Sequence, residues 1–105
     1  MTLILAHRGY AAEYPENTML AFKEAGKAGA DGLELDVQMT RDGELVVIHD
    51  EKVDRTTDGT GLVMEYNFED LRKLDARFKF KELPRKEQIP SLSEVLEWLS
   101  GTSMV

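Results

Sequence analysis

The sequence of 105 residues contains no cysteine, which excludes disulfide bonds and zinc–thiolate sites as supports for the fold. It also lacks any apolar run near the ~18 residues that a membrane-spanning helix needs. Residues 1–6 carry no basic leader and are too short for a signal peptide. From these absences we expect a protein without a membrane span, located in the reducing cytoplasm.

Positive charge is in deficit: 13 Lys and Arg face 20 Asp and Glu, for a net charge of −7. Because no basic stripe is present either, nucleic acid and anionic membrane surfaces are not expected as partners. Residues 77–81 (RFKFK) interleave basic and aromatic residues as stacking segments do, but the net charge favours a half-exposed strand or a lid segment. Residues 58–61 are rich in glycine without the spacing of a phosphate-binding loop, and they predict a plain loop.

A strand, a helix and a second strand open the chain. The uninterrupted apolar run at residues 3–6 is typical of a strand buried on both faces. Asn17 and Thr18 offer cap oxygens for a helix over residues 19–28. Residues 32–38 alternate strictly between apolar and polar, which predicts a second strand with its leucines and Val37 on the inner face.

A third strand is predicted at residues 45–48, after the turn residues Asp42 and Gly43. If the turn closes a hairpin, Asp36 lies directly opposite His49. A parallel third strand would instead require the chain to return extended along the outside. The sequence leaves both topologies open, and both bring Asp36 and His49 near each other.

The rest of the chain is predicted as loop, a short helix at residues 68–73, a connection at residues 77–90 and a final helix. Ser91 and Glu94 form a capping box in front of that helix, whose apolar stripe consists of Leu92, Val95, Leu96 and Leu99. The order of elements is that of an α/β fold.

Each of the first three predicted strands carries ionisable residues at or near its C-terminal end, where α/β folds collect catalytic groups. These residues are His7 and Arg8, then Glu34 and Asp36, then His49 and Asp50. The chain has two histidines, and both occupy such positions. Three successive strand ends of this kind predict a site.

Glu34 and Asp36 leave the same strand face roughly 7 Å apart. Two carboxylates among buried leucines repel each other and lose hydration, so one is protonated or a cation joins them. Ligation by oxygen alone favours Mg²⁺ or Ca²⁺ over zinc. The alternative is an acidic face that points into solvent.

His7 and His49 can supply a base and an acid around one substrate. The planar guanidinium of Arg8 suits a phosphate. The alternatives are structural histidines bonded to backbone and a surface arginine. Together with a hard cation, these residues indicate phosphoryl chemistry and name no substrate.

Four segments of the sequence resemble the N-terminal part of the glycerophosphodiester phosphodiesterases. They are AHRGY (6–10), YPENTMLAF (14–22), GADGLELDVQMTRDGELVVIHDEKVDRTTDGTG (29–61) and IPSLSEVL (89–96). The resemblance implies a TIM-type (β/α) barrel of the PLC-like phosphodiesterase kind. Residues 1–105 would form the N-terminal portion, with roughly the first three strands and a small insertion at about residues 50–85 over the barrel mouth.

The same resemblance implies metal-dependent hydrolysis of glycerophosphodiesters to sn-glycerol 3-phosphate and an alcohol. It implies a divalent cation, Mg²⁺ or Ca²⁺, held by Glu34 and Asp36. It also implies that His7 and His49 are the acid–base pair, with His49 as the acid, and that Arg8 binds the phosphate.

A complete barrel needs about 200–250 residues, and the family's fourth strand supplies another acidic ligand and a lysine that this chain does not contain. We therefore expect this chain to carry only part of the site, as a fragment of a full enzyme. The alternatives are a chain that self-associates through its open barrel edge and a non-catalytic module that binds cations or glycerophosphate. Sphingomyelinase D-like phospholipases share the acid pair and two histidines, but the PENT and DRTTDGTG segments fit them poorly.

Overall fold

The computed structural model describes residues 3–104. Its elements in chain order are β1 (Leu5–His7), α1 (Met19–Lys27), β2 (Gly32–Glu34), β3 (Val37–Met39), β4 (Leu45–Val47), a 3₁₀ helix (Val63–Glu65), α2 (Phe68–Leu71) and α3 (Leu92–Ser100). None of the helices in this part of the chain has the length and apolar character needed to cross a membrane.

The chain opens with β1 and β2, which pair in parallel and are connected through α1. Their register places His7 beside Glu34. The hydroxyl of Thr18 accepts a hydrogen bond from the Ala21 N–H at 3.2 Å, so Thr18 caps α1. Thr18 and Asn17 are both predicted as cap residues; Thr18 is the one that caps the helix, and Asn17 makes other contacts.

The single strand predicted over residues 32–38 is wrong, because the chain changes partner at residues 35–36. β2 pairs with β1, whereas β3 pairs with β4 in a separate two-stranded sheet. Leu33 and Leu35 pack in an apolar core as expected. Val37 was predicted to face the same way, yet it is 42% exposed. The alternation of apolar and polar residues therefore identifies the buried face of this segment only as far as residue 35.

The second sheet is an antiparallel hairpin of β3 and β4, which decides between the two topologies that the sequence allows. Asp36 nevertheless lies opposite Ile48, whose N–H donates to the Asp36 carbonyl at 2.9 Å. The predicted pairing of Asp36 with His49 is thus wrong by one residue.

Loop length explains this shift in register. The Thr40 N–H donates to the Glu44 carbonyl at 2.9 Å, so three residues, not two, connect the strands. The third of them, Gly43, has φ +85°, the left-handed conformation typical of three-residue hairpin loops.

Residues 51–90 build an apolar core against β4. Its buried residues are Val46, Ile48, Val53, Val63, Leu71, Ala76 and Ile89. The segment also folds back on itself, since the Val53 N–H donates to the Gly61 carbonyl at 2.9 Å. The segment predicted as an insertion therefore packs on the hairpin through its own side chains.

The predicted capping box of α3 is confirmed: the Ser91 hydroxyl accepts from the Glu94 N–H and the Glu94 carboxylate accepts from the Ser91 N–H. The face of α3 that packs inward consists of Leu92, Val95, Trp98 and Leu99. Leu96 was predicted in that stripe and is instead 54% exposed. Trp98 packs in its place, so the buried face is rotated toward Trp98.

Candidate active site

The carboxyl ends of β1 and β2 bring His7 and Glu34 together. Nε2 of His7 lies 3.6 Å from Oε1 of Glu34, and the two side chains are 67% and 44% exposed. Although Glu34 is half exposed as a whole, its Oε1 atom is buried and has no hydrogen-bond partner. Buried polar atoms in folded proteins are almost always hydrogen-bonded. A buried carboxylate oxygen without a partner is therefore an atom that a ligand can contact.

The turn after β1 holds Arg8 at φ +56°, a backbone conformation that few residues other than glycine adopt. Two hydrogen bonds fix it: the Arg8 N–H donates to the Glu34 carbonyl at 2.7 Å, and the Asn17 N–H donates to the Arg8 carbonyl at 2.9 Å. Non-glycine residues in this region cluster at functional sites. The backbone thus supports a functional role for Arg8.

The Arg8 guanidinium lies between two carboxylates. Its Nε is 3.2 Å from Oδ2 of Asp36, and its Nη1 is 3.4 Å from Oε2 of Glu16. The contact with Asp36 is an ion pair without hydrogen-bond alignment, since Nε is buried and lacks a hydrogen-bond partner. A guanidinium has five N–H donors, so the contacts with Asp36 and Glu16 leave others of Arg8 for an incoming anion.

Asn17 belongs to the site, although the sequence predicts it only as a cap residue. It is 4% exposed, has φ +55° and donates from Nδ2 to Oδ2 of Asp36 at 3.1 Å. Its Oδ1 is buried without a partner. One feature of the sequence indicates this role of Asn17: Thr18 alone is enough to cap α1, so a second cap residue is not needed.

Oxygen atoms dominate this part of the site. The carboxylates of Glu34 and Asp36 and the amide of Asn17 present the oxygens that hard cations prefer. Within residues 3–104, no three His, Asp or Glu side chains are arranged to hold a metal ion. The donor chemistry of these three residues fits Mg²⁺ or Ca²⁺.

His49 follows β4 and is held from two sides. Its Nδ1 lies 2.8 Å from Oδ1 of Asp50, and its carbonyl accepts a hydrogen bond from Nε2 of Gln38 at 3.1 Å. The contact with Asp50 occupies Nδ1. Nε2 is therefore the ring nitrogen that can exchange a proton with a ligand.

Arg55 joins two carboxylates that are distant in sequence. It donates to both oxygens of Glu16 at 2.8 and 3.0 Å and to both oxygens of Asp50 at 2.9 and 3.1 Å. Hydrogen bonds from Arg55 and His49 lower the pKa of Asp50 to about 2. Those to Glu16 and Asp50 raise the pKa of Arg55. Asp50 and Arg55 are thus both charged at neutral pH.

One carboxylate connects the two halves of the site, because Glu16 contacts both Arg8 and Arg55. Neither Glu16 nor Arg55 occupies a strand end, so no periodicity marks them in the sequence. The connected residues are His7, Arg8, Glu16, Asn17, Glu34, Asp36, His49, Asp50 and Arg55.

The basic and aromatic stretch at residues 77–81 forms turns. Of the two predicted alternatives, the half-exposed strand is therefore wrong, and the lid segment stays a prediction. Arg77 is paired with Asp75, Nη2 to Oδ2, at 2.8 Å. The Phe78 ring lies 5.8 Å from the guanidinium carbon of Arg55. Both contacts attach the stretch to the body of the molecule, next to the Arg55 pair.

Charged and imidazole side chains at the carboxyl ends of parallel strands, with a helix connecting those strands, define a segment of an α/β enzyme fold. The model of the glycerophosphoryl diester phosphodiesterase family matches residues 7–104. The chain belongs to that family.

Relatives and solved structures agree with this assignment. A glycerophosphodiester phosphodiesterase of Caldanaerobacter subterraneus is 58% identical over 96 residues, 91% of this chain and 40% of the relative. The crystal structure of such an enzyme from Agrobacterium tumefaciens is 44% identical with a TM-score of 0.91, over 96% of this chain and 44% of that one. A phosphodiesterase from Oleispira antarctica, solved with the product sn-glycerol-3-phosphate, is 38% identical with a TM-score of 0.91, over 99% of this chain and 42% of that one.

These solved relatives are TIM-barrel proteins, and the fold is accordingly a partial TIM-type barrel. The chain spans about 40% of the length of the relatives it matches. The predicted fold class and family are both confirmed.

Proposed function

We propose that this chain carries part of the active site of an enzyme that hydrolyses glycerophosphodiesters to sn-glycerol 3-phosphate and an alcohol. The observation that carries the proposal is the gathering of Arg8, Glu34 and Asp36 at adjacent strand ends. A phosphate would there meet a guanidinium and a cation together. The product found in the Oleispira antarctica relative supports the choice of substrate.

Glu34 and Asp36 would hold the divalent cation, Mg²⁺ or Ca²⁺. The buried, unpartnered Oε1 of Glu34 fits this role. When bound, such a cation neutralises non-bridging phosphate oxygens and lowers the pKa of an attacking hydroxyl. Six to eight oxygen ligands are typical of Ca²⁺, so water, substrate or further protein groups would complete the shell.

His7 and His49 are proposed to transfer the two protons of the reaction. One takes a proton from the attacking hydroxyl and the other protonates the departing alkoxide. Attack by water gives glycerol 3-phosphate directly, whereas attack by the glycerol 2-hydroxyl gives a cyclic phosphate that water must open in a second step. We assign His49 as the acid, since Asp50 at Nδ1 leaves the transferable proton on Nε2. His7, whose Nε2 faces Glu34, is then the base. Arg8 orients the phosphate.

The second candidate is a non-catalytic module that binds a cation or glycerophosphate. It rests on the same grouping of Arg8, Glu34 and Asp36, which can bind a cation and a phosphate without any proton transfer. Such a module would use the same carboxylates and Arg8 without turnover. The sphingomyelinase D-like alternative has no comparable observation in its favour.

Release of glycerol 3-phosphate from glycerophosphocholine, with Mg²⁺ or Ca²⁺ added or with EDTA, tests the proposal. We expect EDTA to abolish turnover, and His7→Ala or His49→Ala to reduce it by a factor of about 10²–10⁴. Arg85→Ala changes an exposed residue outside the site and should leave the rate unchanged.

The contrary outcomes are distinct. Full activity in both histidine variants would refute the proton-transfer roles. No turnover by this chain, with Mg²⁺ and glycerol 3-phosphate still bound, is expected of a part of the site; no turnover by a longer form of the protein as well would establish the binding module. Self-association and the cytoplasmic location stay predictions.

A further inference from the structure

Glu16 and Arg55 form an ion pair in the site, and the proposed reaction gives neither of them a task. The pair is bidentate, with both Glu16 oxygens accepting from Arg55. The Glu16 side chain is only 12% exposed, so solvent weakens the pair less than it would an exposed one. The two residues are 39 positions apart in sequence, and each lies in a turn. Their contact therefore joins two loops.

The other edge of the Arg55 guanidinium holds Asp50, through Nε at 2.9 Å and Nη2 at 3.1 Å. The Phe78 ring lies 5.8 Å from the guanidinium carbon, within the range of a cation–π contact. Arg55 is thereby fixed by Glu16, Asp50 and Phe78. A guanidinium held this way gives the Asp50 carboxylate one orientation.

Asp50 in turn contacts the imidazole, with Oδ1 2.8 Å from Nδ1 of His49. A carboxylate at one ring nitrogen selects the tautomer and directs the other nitrogen toward its partner. We propose that Glu16 and Arg55 are positioning residues, which hold Asp50 so that the Nδ1 proton of His49 stays directed at Asp50 in both charge states. The proton that His49 delivers to the reacting oxygen is then the one on Nε2. The mechanistic part of this proposal rests on the proposed role of His49.

A purely structural role, in which the pair stabilises the contact between two loops, would account for the hydrogen bonds between Glu16 and Arg55. It would not explain why Arg55 also donates twice to the residue next to His49. Glu16 further contacts Arg8, Oε2 to Nη1, at 3.4 Å. The same carboxylate therefore contacts the proposed phosphate-binding arginine and is connected to His49 through Arg55 and Asp50.

The test is the tautomer of His49, read from the ring nitrogens of ¹⁵N-histidine in long-range NMR spectra at mildly alkaline pH. The variants are Asp50→Ala, Arg55→Gln and Glu16→Gln. Arg85→Gln is the matched control, because it removes an exposed arginine outside the site. His7 reports on the specificity of each change within the same spectrum.

We expect the Nδ1–H form of His49 in the wild type and in Arg85→Gln. Asp50→Ala should shift it to the Nε2–H form that a free histidine side chain prefers, and Arg55→Gln and Glu16→Gln should shift it in the same direction. A His49 tautomer that is identical in wild type, Arg55→Gln and Glu16→Gln would overturn the proposal. Dispersed amide spectra verify folding, and Glu16→Gln, which keeps both arginines, provides the readout if Arg55→Gln unfolds.

In any form of the protein with turnover, Arg55→Gln should lower kcat by about 10–100-fold with little change in KM, as loss of a residue that orients a catalytic group does. An unchanged kcat would contradict the mechanistic part. The tautomer requires no turnover, so failure of the proposed function and failure of this proposal give different results.

Discussion

The two residues after β1 show how far the site depends on single backbone conformations. Arg8 has φ +56° and Gly9 has φ +83°, so the chain reverses within one step. This reversal returns the Arg8 side chain toward Asp36 and Glu16. It also presses Gly9 against the first turn of α1 at Ala21. The glycine of the HRG motif thus determines where the arginine points.

Replacing Gly9 by alanine tests this dependence. A Cβ at Gly9 would lie 2.9 Å from the carbonyl carbon and Cβ of Ala21, whereas a Cβ at Gly29, with φ +90°, would meet nothing within 4 Å. Gly29→Ala is expected to lower the free energy of unfolding by about 1–2 kcal/mol through backbone strain alone. Gly9→Ala should lower it by about 1–3 kcal/mol more through overpacking. Urea titration measures both, and equal losses would show that α1 can move aside.

The charge of Asp50 makes the stability of the folded chain depend on pH. Its pKa falls from 3.8 to about 2, so the ionised carboxylate stabilises the folded state above about pH 4. That contribution is lost as the pH falls from about 4 to about 2. This lowering of the pKa corresponds to about 2 kcal/mol of folding free energy. Because the Asp50 side chain is 31% exposed, solvent screening reduces the expected contribution to about 1 kcal/mol.

Urea titrations of wild type and Asp50→Asn across that pH window measure this contribution. The wild type should lose more stability than the variant on acidification, by about 1 kcal/mol. Asp70→Asn removes a carboxylate that is 58% exposed and serves as the control for net charge. Parallel pH curves for wild type and Asp50→Asn would contradict the expectation.

At the scale of elements, features set by local chemistry are predictable and features set by distant partners are not. The capping box of Ser91 and Glu94 predicts the start of α3 because both groups lie within one turn. The break between β2 and β3 depends on which strand pairs with each segment, and alternation contains no information about partners. The hairpin register depends on the left-handed Gly43, which fits two-residue and three-residue loops alike.

The same distinction applies to the elements that build the site. Strand ends predict His7 and Glu34 because the parallel strands β1 and β2 deliver their carboxyl ends to one edge. His49 is predicted in the same way, although its strand, β4, belongs to the antiparallel hairpin. Arg55 and Glu16 come from loops, and only the folded chain shows that they meet. Sequence pattern therefore identifies the residues proposed for chemistry better than those that hold them in place.

At the scale of the whole molecule, the least covered apolar surface lies along β1. The side chains of Leu3, Ile4 and Leu5 are 59%, 63% and 57% exposed, and within residues 3–104 β1 pairs only with β2. A strand with an open edge and exposed aliphatic side chains is a template for association. In a complete barrel, neighbouring strands cover such an edge.

We expect a second copy of the chain to occupy this edge when the chain is studied alone. Sedimentation velocity should show a mass that rises with concentration, and Leu5→Lys should return the chain to monomer because edge lysines oppose strand pairing. Met64→Lys changes a methionine that is 66% exposed in the segment of residues 51–90 and should leave association unchanged. If Leu5→Lys and Met64→Lys reduce association equally, exposed apolar surface in general causes it and not the β1 edge. A wild type that is monomeric at every concentration would show that β1 needs no cover.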